Sequence, residues 1–306
     1  MKDKYILFYC LLIIPLLMGC EKTIDPGLME APDVTIIDAW INNKNEPQVI
    51  KIRRSLPYFE TRSLPGIPNA EVRVIKENGD QFLFIESETQ EGDYIWMPGS
   101  DTAGIGSVGD RFMLDVKINN VQLGSFSEMK RVPEIDSITF KLAPDNPVLK
   151  GSFLAQFWSN DFPGIGDTYW IKAYKNGNYL SKPSEINIAY DAGFSRGDKV
   201  DGVAFNKFIR TGVNPYEEDD NGKIISPYVP GDSLYVEIHS ITSSAYAYLF
   251  EVSVQTNRPG GIAEIFAVPL ANVATNIVNV TNGEVVTGFF NVSAVSGMGK
   301  RFIEEN

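Results

Sequence analysis

The sequence predicts an all-β protein: two β-sandwich-like domains, the second carrying one helix. Three observations predict it. Apolar residues recur at every second position over most of the chain, Asn-Gly pairs separate several of these runs, and one stretch alone switches to a helical spacing. The chain has 306 residues, 43% of them hydrophobic and 22% charged, a globular composition long enough for two cores.

Residues 34–41 are β-branched and aromatic, and the Asn-rich stretch 42–45 turns them into the run 48–53. Residues 70–75 alternate polar and apolar, and Asn78-Gly79 leads into 81–85, the strongest short-range hairpin signal. Residues 94–97 and 111–118 continue the pattern, the latter placing Phe112, Leu114, Val116 and Ile118 on one face before Asn119-Asn120 turns into 121–126. Val132-Pro133-Glu134 interrupts the series, so an Ig-like N-terminal sandwich is expected over 33–132 and a second β domain over 133–306. That second part repeats the style at 135–142, 151–158, 168–174, 179–180, 233–240, 261–268 and 284–293, with turns at Asn176-Gly177 and Asn282-Gly283. Between them, Ala245, Tyr248, Leu249 and Val252 fall on one helical face. Thr242 or Ser243 can cap the start and Pro259-Gly260 stop the run, which predicts a helix near 243–256.

The amino end has a different character. Lys2 and Lys4 precede an apolar run over 6–18, shorter than the roughly 20 residues a membrane-spanning helix needs. A positive start, a short apolar run and a small residue at its end describe a secretory signal peptide over 1–19. Leu17-Met18-Gly19-Cys20 resembles the lipobox of bacterial lipoproteins. That resemblance implies cleavage before Cys20, a lipid on its thiol and an acylated new amine, hence a membrane contact made by lipid alone. The other cysteine, Cys10, lies in the apolar run, so the processed chain would hold no disulfide. Residues 20–32, with Pro26, Gly27 and Pro32 and no period, read as a lipidated tether.

Lys and Arg number 27 against 39 Asp and Glu, a net charge of −12 that offers no basic face for nucleic acid. The sole histidine, His239, shares a strand face with Tyr235 and Glu237 and reads as a surface residue; one histidine cannot build a multi-histidine zinc site. Gly104–Gly109 matches G-x-G-x-x-G, but it precedes an alternating strand instead of opening a helix, so it reads as a loop and not a nucleotide cradle. The acidic run Glu217–Gly222 lacks the glutamate an EF-hand needs at its twelfth position, where Tyr228 stands. It reads as a solvated loop, with a looser calcium turn through Asp219, Asn221 and Gly222 as the alternative. Asp198 and Asp201-Gly202 read as turns, and Trp40, Trp96, Trp158 and Trp170 as core. No catalytic residue, cofactor or metal ligand is assigned; Cys20 is the one site residue.

Several segments then carry a likeness across nearly the whole processed chain: the lipobox, the strand through Ile36 and Trp40, Pro68 to Val74, Gly109 to Val116, Val132 to Ile138, Pro230 to Val236 followed by Ala245 to Leu249, Asn276 to Asn279, and Gly288 to Ser293. By order and spacing the chain resembles the Bacteroidota outer-membrane lipoprotein family filed as domain of unknown function forty-two forty-nine. The resemblance implies a non-enzymatic, lipid-anchored accessory or ligand-binding lipoprotein of the outer membrane, on its periplasmic or cell-surface face, partnering a TonB-dependent transporter. A structural or adhesive surface lipoprotein is the alternative, and a carboxylate- or calcium-dependent hydrolase the second.

Overall fold

The computed structural model describes residues 33–57, 60–99, 104–143, 151–216, 218, 224–258 and 260–303, so Cys20, the signal peptide and the tether lie outside the described residues. The opening strands follow the alternation: β1 (Thr35–Asn42), β2 (Gln48–Arg54), β3 (Glu71–Lys76), β4 (Gln81–Glu86), β5 (Asp93–Trp96), β6 (Arg111–Ile118) and β7 (Val121–Glu128). Ile37, Ala39 and Ile41 of β1 and Phe112, Leu114 and Val116 of β6 point into one core, as their period of two requires. Gly79 takes a left-handed φ of 96° in the turn between β3 and β4.

The second series is β8 (Ser137–Leu142), β9 (Phe153–Trp158), β10 (Thr168–Lys175), β11 (Asn178–Tyr179), β12 (Asn187–Tyr190) and β13 (Ser233–Ser240). Asn176 and Gly177 both have positive φ, the backbone of a type I′ turn, which matches the twist of β10 and β11. A short helix α1 (Lys207–Thr211) follows β12, capped by Asn206, whose side chain accepts from the Ile209 amide. The expected helix is present as α2 (Ser243–Thr256), with Thr242 accepting from the Ala245 amide. Residues 261–268, expected as a strand, are instead a 3₁₀ turn over Gly261–Phe266 with Gly260 at positive φ before it. The apolar residues there form an exposed segment and not a buried sheet face. Three strands close the chain: the two-residue β14 (Val278–Asn279), then β15 (Val286–Ser293) and β16 (Val295–Arg301).

The expected division between 33–132 and 133–306 does not hold for these last strands. The first sheet has the order β14-β7-β6-β3-β4-β5-β2-β1-β15, so its two outermost strands come from the end of the chain. β15 runs parallel to β1 with Ile37 opposite Gly288, and its Val292 amide donates to Ser127 of β7 at 3.0 Å, curling the sheet toward a barrel. Ile277, Val286, Phe290 and Val292 accordingly pack in the first core. At Ala294 the chain passes into β16 and the second sheet, β11-β10-β13-β16 with β12 also on β10. That sheet covers a second core with β8, β9 and α1, where Tyr169, Ile171, Val236 and Phe205 are buried. A third cluster joins α2 to both sheets: the Trp40 ring meets those of Trp170, Tyr248 and Phe289, and Tyr248 also meets Phe289, with Ala245 and Leu249 buried in the same cluster. Packing rings in such stacked, tilted and edge-on pairs adds about 0.5–1.5 kcal/mol per pair beyond the area removed from water.

Candidate functional site

The sequence-named residues scatter. Gly104–Gly109 lies between β5 and β6, with Ile105 buried and a Cβ on Gly104 meeting the Asn43 carbonyl at 2.0 Å: the glycine serves packing. Asp198 closes a turn, accepting from the Ser195 amide and hydroxyl. Of the acidic run Glu217–Gly222, only Glu218 falls among the described residues. Asp201, expected in a turn, is also brought by the fold to Asp161 and Asp191, with carboxylate oxygens of all three within 4.8 Å of one another. These carboxylates are supplied with internal donors. Asp161 takes the Tyr169 hydroxyl at 2.6 Å, Asp191 the Gly166 and Asp167 amides, and Asp201 the Gly164 amide.

His239 is not a surface residue. It is 5% exposed: its ring lies 6.3 Å from that of Trp170, and Lys44 from the turn after β1 reaches the adjacent Glu237. Its Nε2 lies 2.9 Å from Glu237 Oε2; a carboxylate only accepts, so that nitrogen carries the proton. Glu237, 3% exposed, takes Lys44 Nζ at 2.7 Å on its other oxygen and the Tyr174 hydroxyl at 3.3 Å. Burial alone would raise the Glu237 pKa, but the bonds from His239 and Lys44 outweigh it and hold the carboxyl well below its usual range. For His239, burial and then the Lys172 charge outweigh the carboxylate and lower the pKa to about 4. The Lys172 ammonium rests 4.0 Å over the Trp170 ring, and burial lowers its pKa to about 8 despite Glu237 and Asp38 nearby.

The outer face of the first sheet carries a groove that the sequence did not single out. One rung crosses four strand pairs: Leu83 opposite Arg73, Arg73 opposite Asp115, Asp115 opposite Gly124, and Gly124 opposite Val278. Two adjoining hollows, about 530 Å³ and 380 Å³, meet over Asp115 and Gln122. The first is rimmed by Leu83 and Ile85, the second by Phe126, Val278 and Val280, all exposed. At the divide Asp115 accepts from Arg73 Nε and Gln122 Nε2, each at 2.6 Å. Lys117 pairs with Glu71 at 3.2 Å, and Glu86 accepts from the Asn69 and Gly92 amides. The terminal guanidinium nitrogens of Arg73 meet no partner among the described residues. Volumes of this size, with apolar walls and a few convergent polar groups, suit a small ligand.

A family model described as a domain of unknown function, DUF4249, matches residues 21–297. The chain belongs to this family. Among characterised proteins, a pre-mRNA-splicing factor, cwc2, from Aspergillus fumigatus is 38% identical over 86 residues, which covers 27% of this chain and 18% of that protein. The DUF4249 chain thus matches less than a fifth of that relative's length, and the likeness carries nothing about its own activity. The DUF4249 match, by contrast, takes in both sheets, the groove and α2.

One further surface of the DUF4249 fold stands out. After α2 the chain returns along the helix, tied to it by polar contacts: Arg258 pairs with Glu264 and donates to the Val268 carbonyl at 2.8 Å, and the Ala271 amide donates to Gln255 at 3.2 Å. This arrangement leaves the apolar side chains outward. Phe266 is 88% and Ile265 79% exposed, with Val268, Leu270 and, on α2, Phe250 also in solvent. The segment 261–268 is apolar as its sequence indicates, but it forms a 3₁₀ turn with Ile265, Phe266 and Val268 in solvent instead of the expected strand.

Proposed function

We propose that this DUF4249 member is a non-enzymatic, lipid-anchored accessory lipoprotein of the outer membrane that holds a ligand and docks onto a TonB-dependent transporter. The observation that carries the reading is the outward apolar arm at Ile265, Phe266, Val268 and Leu270. A contiguous apolar surface on an otherwise acidic protein marks a place where another surface sits. The lipobox-like Leu17–Cys20 supports the anchor. The non-enzymatic reading is supported by the buried Glu237–His239 pair, whose carboxylate is held ionised and imidazole neutral, so neither of these two groups is poised near neutral pH for proton transfer.

Two variants test the two halves. Cys20→Ser should abolish incorporation of radioactive palmitate and move the chain to the soluble fraction. A double change, Ile265→Ser with Phe266→Ser, should leave labelling intact while cutting the β-barrel protein recovered by affinity purification from native membranes by about tenfold or more, the equivalent of roughly 1.4 kcal/mol of binding. A wild-type chain that takes up no palmitate, or that purifies without any barrel, overturns the reading.

A further inference from the structure

Gly124 sits in the middle of a strand, where glycine weakens pairing unless something must approach the backbone closely. Nothing among the described residues asks for it. Its φ is not left-handed, and a Cβ there would meet only the Leu114 carbonyl at 3.6 Å, an ordinary contact. What its missing side chain does is keep the second hollow open between Asp115 and Val278. At the other side of the divide the acidic groups are satisfied internally: both Asp115 oxygens are taken by Arg73 and Gln122, Glu71 is paired with Lys117, and Glu86 takes two amides. The group with unspent capacity is the end of Arg73, whose fork suits a carboxylate. From β3 to β14 are three strand steps of about 4.8 Å, roughly 14 Å in all, which matches an extended medium-length acyl chain.

We infer that the groove binds a monocarboxylate amphiphile, with its carboxylate on the terminal nitrogens of Arg73 and its unbranched apolar chain laid over Gly124 between Phe126, Val278 and Val280. The inference rests on the ligand-holding part of the proposed function and names the class of ligand. The test uses the full chain in phosphatidylcholine nanodiscs and dodecanoate isotope-labelled at its carboxyl carbon, followed by NMR. Wild type should give a bound carboxylate resonance absent from empty nanodiscs. Gly124→Leu, which fills the hollow, and Arg73→Gln should each weaken binding by about tenfold or more. Gly124→Leu should keep or raise the melting temperature, because its Cβ has room, so its loss of binding is not a loss of fold. Unlabelled dodecanol should displace the bound dodecanoate poorly. The inference is overturned if wild type shows no bound resonance, if Gly124→Leu binds as well as wild type, or if dodecanol competes equally. A missing resonance with barrel capture intact removes the ligand and leaves the docking role; the converse result does the opposite.

Discussion

Gly288→Ala should remove on the order of 3 kcal/mol or more of folding stability, a change at the upper end of single substitutions. Gly288 holds φ at 100° in β15, where an L-residue costs about 1–3 kcal/mol. A Cβ there would lie 2.0 Å from the Ile37 carbonyl oxygen of β1, so the backbone of one strand must move away from the other. This parallel pair joins the two ends of the chain's first core, and separating it exposes Phe290 and Val292 together with Ile37 and Ala39. Gly79→Ala is the control: its φ of 96° is equally left-handed, but nothing lies within 4 Å of the added carbon, so only the backbone term of about 1–2 kcal/mol is expected. Denaturant midpoints measure both. Equal losses at the two positions would show that the close approach at Ile37 carries no weight.

Acid should destabilise the protein in a window set by His239. Unfolded, its imidazole titrates near 6.5; folded, it stays neutral to about 4. The unfolded chain therefore binds the proton first, and stability falls as pH drops from 6.5 toward 4, with little further change from this group below that. The displacement amounts to roughly 3 kcal/mol. Glu237 acts in the same direction at lower pH: its folded pKa is depressed below the usual 4.5, so its contribution is present above that value and is lost as pH falls through the folded pKa. The charges facing the pair come from several elements: Lys44 and Glu46 from the turn after β1, Lys172 from β10 and Asp38 from β1. His239→Gln keeps a donor for Glu237 and cannot be protonated, so its stability should be nearly flat between pH 6.5 and 4. An unchanged slope in that variant would show that His239 is not the group responsible.

The parts of the fold that were legible in the sequence are those whose signal is local. Alternation in β6, the Asn176-Gly177 turn and the Thr242 cap each depend on residues within a few positions, and each stands in the structure where the pattern put it. β12, α1, β14 and β16 escaped because they are short or glycine-rich, with too few residues to show a period. The groove escaped for a different reason. Leu83, Arg73, Asp115, Gly124 and Val278 form one rung only after five strands align, and no spacing along the chain records that alignment.

By itself, then, the sequence determined the β class, the hairpins, the one long helix, the acidic surface and the apolar character of residues 261–268. Only the tertiary structure decided that the last strands return to complete the first sheet, that His239 of β13 is buried, and that Gly124 leaves an open hollow. The physical reason is one of range. Side-chain period and turn chemistry act between neighbours, whereas strand register, burial of a polar face and the emptiness above a glycine depend on which distant segments arrive beside it.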